Sequence, residues 1–183
     1  MKTLKNLFLV TVAFFLTLSF LNCTGSKGKP KKVTLPFTAD CLGEYTYVGP
    51  DTLPNPKCTG TFSAWRAIVD GKGTGTPLGE FTIHFDFCGD TLSNYGNLYA
   101  YIITADSDSL FINSSGRVLE GRLAEHPAYV TSYWRDTITI LGGTGKYKGA
   151  TGTLKTDDYN SSEDPNSHHH WKGTITLVKE DQY

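Results

Sequence analysis

GGTGKYKGATGTL, residues Gly142 to Leu154, packs five glycines into eleven positions (Gly142, Gly143, Gly145, Gly149 and Gly152). Such a run is either a loop that grips phosphate or the punctuation of a β-sheet, and the choice decides the fold. A P-loop needs a glycine five residues ahead of its Gly-Lys pair and Ser or Thr after the lysine. Here Ile140 stands at the first of these positions and Tyr147 at the second. A dinucleotide fingerprint needs a small residue at position 148, which is lysine, and a following helix, which the pattern does not offer. What fits is a strand (DTITIL), a turn whose glycines permit positive φ, and a returning strand in which Gly149 and Gly152 allow bends or close backbone approach.

Working outward, the chain repeats that grammar. Segments 61–69, 80–88, 97–105, 108–114, 116–123, 129–141, 146–159 and 168–178 read as eight strands parted by clusters of Gly, Asp, Asn, Ser and Pro. Alternation is cleanest in EFTIHFDFC, where Phe81, Ile83, Phe85 and Phe87 share one face and Thr82, His84, Asp86 and Cys88 the other. No helical apolar period occurs beyond the N-terminus, so an all-β fold follows, an up-and-down barrel or a sandwich. Ten Tyr, ten Phe and three Trp suit strands. Seventeen basic residues nearly cancel eighteen acidic ones, so no field draws a polyanion, and nucleic-acid binding is not expected.

The chain opens with Lys2 and Lys5 ahead of an apolar stretch from Leu7 to Leu21, the layout of a secretory signal. Cys23 follows directly and resembles the acylated cysteine of bacterial lipoproteins, although FLN before it departs from the usual small-residue pattern. The division expected is a lipoprotein signal over 1–22, a basic flexible tether over 23–33, an N-terminal extension or loop over 34–59 and a barrel domain over 60–183. The address is the bacterial cell envelope, lipid-anchored at the outer membrane on its periplasmic side or surface, with the lipid as the sole membrane contact. Three cysteines then remain for an oxidising compartment, enough for one disulfide. Cys41 and Cys58 flank a proline-rich segment and are the favoured pair, where a bridge would stabilise by roughly 3 kcal/mol. Cys88 ends a strand and is the alternative partner for either. His84 lies about 13 Å from it along the strand, too far to activate it as a nucleophile.

His84, Asp86, Arg66, Glu120 and Arg135 are the charged candidates for a barrel interior, where they would bind or polarise a ligand. The competing reading puts them in solvent and the Phe face inside. His168 and His170 point the same way on a strand, about 6.5 Å apart. Two imidazoles do not make a metal site, so no metal and no cofactor are expected. No Ser-His-Asp spacing and no paired-carboxylate motif stands out.

ITILGGTGKYKGATGTL, with TADSDSLFINSSGRV and GTPLGEFTIHFDFC upstream and HHHWKGTITL at the end, resembles bacterial members of the allene oxide cyclase-like and dirigent-like β-barrel proteins across roughly residues 60–178. The resemblance implies an eight-stranded antiparallel closed β-barrel around a cavity, with helix confined to the signal segment. Three roles fit: a barrel binding a small apolar or amphipathic ligand, which is preferred; a cofactor-free isomerase or cyclase; and a structural or protein-interaction module. Ligand identity and oligomeric state are left open by the sequence.

Overall fold

The computed structural model describes residues 30–179. The segment expected to be a signal, the expected attachment point Cys23 and most of the expected tether lie outside the described residues. Twelve strand segments appear: β1 (Lys31–Gly49), β2 (Trp65–Thr76), β3 (Gly79–Gly89), β4 (Asn94–Thr104), β5 (Ser109–Asn113), β6 (Gly116–Arg117), β7 (Leu119–Glu120), β8 (Val130–Trp134), β9 (Thr137–Gly143), β10 (Thr151–Thr156), β11 (Asp158–Ser161) and β12 (Ser167–Lys179). Eight of them close a ring in the order β1-β2-β3-β4-β5-β9-β10-β12, with β12 pairing back onto β1. The eight-stranded antiparallel barrel is therefore present, and among the described residues the helical content is two short 3-10 turns, Gly60–Phe62 and Gly145–Tyr147.

The ring differs from the sequence reading in one strand. Residues 34–59, read as an extension, hold most of β1, so the barrel begins at Lys31 and not at residue 60. Val33, Leu35, Phe37, Ala39, Cys41 and Gly43 alternate inward along it. Pro36 disguises this pattern because proline usually avoids sheet interiors. It is tolerated here because pairing with β2 starts only at Thr38, leaving Pro36 with the single neighbour β12. Conversely, residues 116–123 supply only the two-residue segments β6 and β7. Runs 130–143 and 151–161 are each bent once, at Arg135–Asp136 and at Asp157, and β11, β8 and β7 extend the sheet beyond the ring at one end.

The glycine run closes the opposite end. Gly142 and Gly145 adopt φ of 117° and 49°, which a side chain would oppose. The Lys146 N–H, the amide a phosphate would need, donates instead to Asp108 Oδ2 at 3.1 Å, and Lys146 Nζ pairs with Asp106 at 2.9 Å. The β4–β5 turn thus supplies internal carboxylates where a nucleotide would supply phosphate. Tyr147 swings under the barrel and is fully buried. Above it Phe37, Phe81, Ile83, Ile102, Leu110, Ile140, Leu154 and Ile175 fill the lower half in one continuous core. Burying such a side chain contributes roughly 1.5–3 kcal/mol, so this half anchors the fold.

The cysteines also pair differently. Cys58 bonds Cys88 across 30 residues, and Cys41 is a buried free thiol. Strand parity explains the correction: Cys41 is on the inward face of β1, among Phe37, Ala39 and Val69. Cys88 lies on the outer face of β3, beneath the loop that carries Cys58. Burial pushes the Cys41 thiol up, so it is unreactive in the folded protein. Alkylation under native conditions is expected to spare Cys41 and to modify it only after denaturation, which peptide mapping would read.

Candidate functional site

The upper half of the barrel is hollow. A cavity of about 560 Å³ opens between the upper ring strands and the β8–β11 extension. Its floor is made by residues that also belong to the core, namely Val69, Phe85, Ile112, Ile138 and Trp171. Its walls add Trp65, Phe87, Tyr95, Leu98 and Trp134, and Tyr45 and Val48 of β1 stand at the exposed end. All three tryptophans of the chain face it. The volume lies within the range of small-molecule sites, which are mostly apolar with a few placed polar groups.

Ser114 and Thr156 add hydroxyls to the lining, but the polar groups that are linked to one another come from two adjacent strands. Ser167, His169 and Trp171 alternate inward along β12, and Asp158 faces them from β11. Asp158 Oδ2 accepts from His169 Nδ1 at 2.9 Å and from Trp171 Nε1 at 3.1 Å, while Oδ1 accepts from the His170 backbone N–H at 2.9 Å. Three consecutive residues of one strand therefore hold one carboxylate, which is 2% exposed. The other imidazole nitrogen, His169 Nε2, lies 2.9 Å from Ser167 Oγ. The Gly43 carbonyl, 3.1 Å from Ser167 Oγ, is a second acceptor that competes for the single hydroxyl proton. The imidazole stacks on Phe85 at 5.1 Å and meets Trp134 and Trp171 edge-on, so its plane is fixed. Gly43 is required opposite: a Cβ there would fall 2.7 Å from Ser167 Oγ and 2.5 Å from Val69 Cγ1.

Tyr45 completes this wall. Its hydroxyl donates to Asn160 Oδ1 at 3.3 Å, a long bond. Burial raises its pKa, against the lowering effect of hydrogen bonds with Asn160 and Ser167. Tyr95 is tied elsewhere, donating to Asp136 at 2.7 Å. Burial raises both, and the Asp136 charge adds to the rise at Tyr95.

None of the five charged residues expected in the interior lines the cavity. Trp65 and Ala67 point in, so Arg66 between them points out, as Asp86 does between Phe85 and Phe87. Arg66 forms a forked pair with Asp86 at 2.8 and 2.7 Å and reaches Asp51 at 3.0 Å. Lys57 joins them by donating to the Asp86 carbonyl. This cluster, capped by the disulfide, fastens the 50–62 loop to the outer wall. His84 pairs with Asp70 outside at 2.7 Å. Arg135 bridges Asp157 and Glu125 at the strand bend, and Glu120 is exposed. His168 and His170 both stack on Tyr159, at 4.6 and 5.8 Å, but they face different carboxylates, Asp164 at 3.3 Å and Asp40 at 2.6 Å. Among the described residues no group of three or more His, Cys, Asp or Glu is placed to hold a metal.

The outer cluster has an acid signature. Burial alone would raise Asp86, but the Arg66 hydrogen bonds and the Lys57 charge outweigh it and leave the carboxyl below its ordinary range. A carboxyl depressed in the folded state stabilises above its unfolded pKa, about 3.9, and loses that contribution as pH falls through the folded value. The urea midpoint is expected to drop below about pH 3.9, and less steeply in Asp86→Asn.

The residues that matter were hidden in HHHW. Parity places the middle histidine inward with Ser167 and Trp171, but choosing it requires knowing which face of β12 is inside. Scanning against protein-family models gives no match, and neither does a search of curated proteins. Among solved structures the chain is similar to the pterocarpan synthase dirigent protein PsPTS1, at 11% identity over 83% of this chain and 97% of that one, with a TM-score of 0.46. It is similar also to the pterocarpan synthase dirigent protein GePTS1, at 12% identity over 90% and 99%, with a TM-score of 0.46.

Proposed function

We propose that this protein is a lipid-anchored binding protein of the bacterial cell envelope whose barrel holds a small, largely apolar ligand carrying one hydrogen-bonding group. The observation that carries the reading is the contrast within the 560 Å³ cavity: aromatic and aliphatic walls on most sides, and one polar strip at Asp158, His169 and Ser167. The apolar walls supply affinity by area, and the strip orients the polar end. An interaction module with a plugged barrel would need neither feature.

A ligand that binds the folded state alone raises stability by mass action, about 2.7 kcal/mol at a hundredfold excess over Kd. A panel of aromatic alcohols, acids and esters is expected to contain compounds that raise Tm with dose. Ala67→Leu, which pushes bulk into the cavity, is expected to abolish those shifts. A panel that leaves Tm unchanged, or shifts that survive Ala67→Leu, would count against the reading.

The anchor has its own test. Growth with an alkyne analogue of palmitate is expected to label the chain, and Cys23→Ser is expected to be unlabelled and released from the membrane fraction. Equal labelling of both would remove Cys23 as the attachment point.

A further inference from the structure

We propose that Ser167, His169 and Asp158 form a nucleophilic relay that hydrolyses esters with an apolar acyl group, acting within the same cavity and resting on the reading of that cavity as a small-molecule site. The relay is identified by geometry. Ser167 Oγ to His169 Nε2 is 2.9 Å, and His169 Nδ1 to Asp158 Oδ2 is 2.9 Å. These distances place a hydroxyl, a base and an orienting carboxylate in the serine–histidine–aspartate arrangement that recurs on unrelated folds in any chain order. Here the order is Asp158, Ser167, His169.

The surroundings suit those roles. Asp158 accepts from two further donors, the His170 N–H and Trp171 Nε1, which hold the carboxylate where it fixes the imidazole with its proton on Nδ1. That leaves the Nε2 lone pair toward the serine. The aromatic contacts of Phe85, Trp134 and Trp171 stop the imidazole from turning. Ser167 and His169 line a cavity whose remaining walls accept an acyl chain or an aromatic acid. Tyr45 lines the same space, and its hydroxyl interacts with both Asn160 and Ser167, so turning its proton from the long 3.3 Å bond to Asn160 lets it donate to an oxyanion formed at Ser167.

The chemistry balances without a further reagent except water. Ser167 Oγ forms a bond to the acyl carbon as its proton passes to His169 Nε2, and the carbonyl oxygen becomes an oxyanion facing Tyr45. The bond to the alcohol oxygen then breaks, and that oxygen takes the proton from Nε2. Water attacks the acyl carbon, giving its proton to Nε2, and Ser167 Oγ leaves and takes it back. Ester and water become acid and alcohol. Asp158 touches no reacting atom and is a positioning residue, while Ser167, His169 and Tyr45 meet the reacting atoms.

The test uses the full chain with p-nitrophenyl butyrate as substrate, a fluorophosphonate as a covalent serine label, and anilinonaphthalene sulfonate as the probe of cavity occupancy. Hydrolysis above the buffer rate is expected, with the label mapping to Ser167. Ser167→Ala and His169→Ala are expected to lose on the order of 10³-fold or more in kcat. Tyr45→Phe is expected to lose on the order of 10²-fold in kcat with little change in KM. Asp158→Asn is expected to depress kcat and alter the pH profile, a change that loosened packing alone would not produce. Sulfonate binding with no hydrolysis and no label on Ser167 would overturn the relay and leave the binding site standing. Hydrolysis unaffected by Ser167→Ala would overturn it as well. Loss of sulfonate binding in the wild type would remove the cavity reading and the relay together.

Discussion

Trp171→Ala is expected to destabilise the protein by about 3–5 kcal/mol, the largest effect of any single side chain on the barrel. Trp171 is the largest fully buried residue, 1% exposed. It sits at the boundary between the packed half and the hollow half, with Phe85 edge-on at 6.0 Å. Truncation therefore removes core contacts and extends the cavity downward into Leu154 and Ile175 territory, where the walls cannot collapse because both sides are ring strands. It also leaves Asp158 without its indole donor. Trp171→Phe keeps most of the volume and loses only that hydrogen bond and part of the ring, so about 1–2 kcal/mol is expected. Urea denaturation with an unchanged m-value would confirm that the loss is in the folded state.

Removing the disulfide is expected to have the second-largest effect. Cys58 and Cys88 are 30 residues apart, and closing a loop of that length stabilises by about 3.5 kcal/mol in the chain-entropy account. The bridge also holds the 50–62 loop over Arg66. Without it the Arg66–Asp51 contact at 3.0 Å loses its backing, since the Lys57 and Cys58 N–H groups that grip Asp51 belong to the same loop. The double variant Cys58→Ser/Cys88→Ser is expected to show a lower urea midpoint together with early proteolytic nicking confined to residues 50–62. Non-reducing peptide maps of the wild type should recover a single Cys58–Cys88 peptide. A Cys41–Cys58 peptide would contradict the observed strand parity.

The parts of this molecule that were legible in the sequence are those set by local chemistry. The Gly142–Leu154 run names its own turn, because Ile140 and Tyr147 break the phosphate motifs and the glycines demand positive φ. The Phe81–Phe87 face declares itself through strict alternation. What stayed hidden depends on long-range closure. β1 is a ring strand only because β12 returns to it across the whole chain, and its Pro36 argues locally against a strand. Once β1 is a strand, Cys41 points inward by parity and the favoured disulfide becomes impossible. The charged candidates failed for a related reason: Arg66 is buried and Asp86 partly buried, but by a loop on the outside of the barrel and not by the interior. Burial and interiority come apart in a barrel whose outer wall is partly covered. The site itself escaped because Ser167, His169 and Asp158 come from a serine-rich loop edge, a histidine triplet and an acidic pair, each of which reads as ordinary turn composition when its face is unknown.

Trp65, Trp134 and Trp171 are the only tryptophans of the chain and all face the cavity, so intrinsic fluorescence reports on that space almost alone. The decisive measurement is a titration of the full chain with anilinonaphthalene sulfonate, followed through tryptophan emission. A cavity open to ligands predicts saturable quenching at one probe per chain, with sensitised probe emission, both lost in Ala67→Leu. Emission that is unchanged by the probe, or that declines without saturating and equally in Ala67→Leu, would show that nothing enters the barrel and would contradict the account.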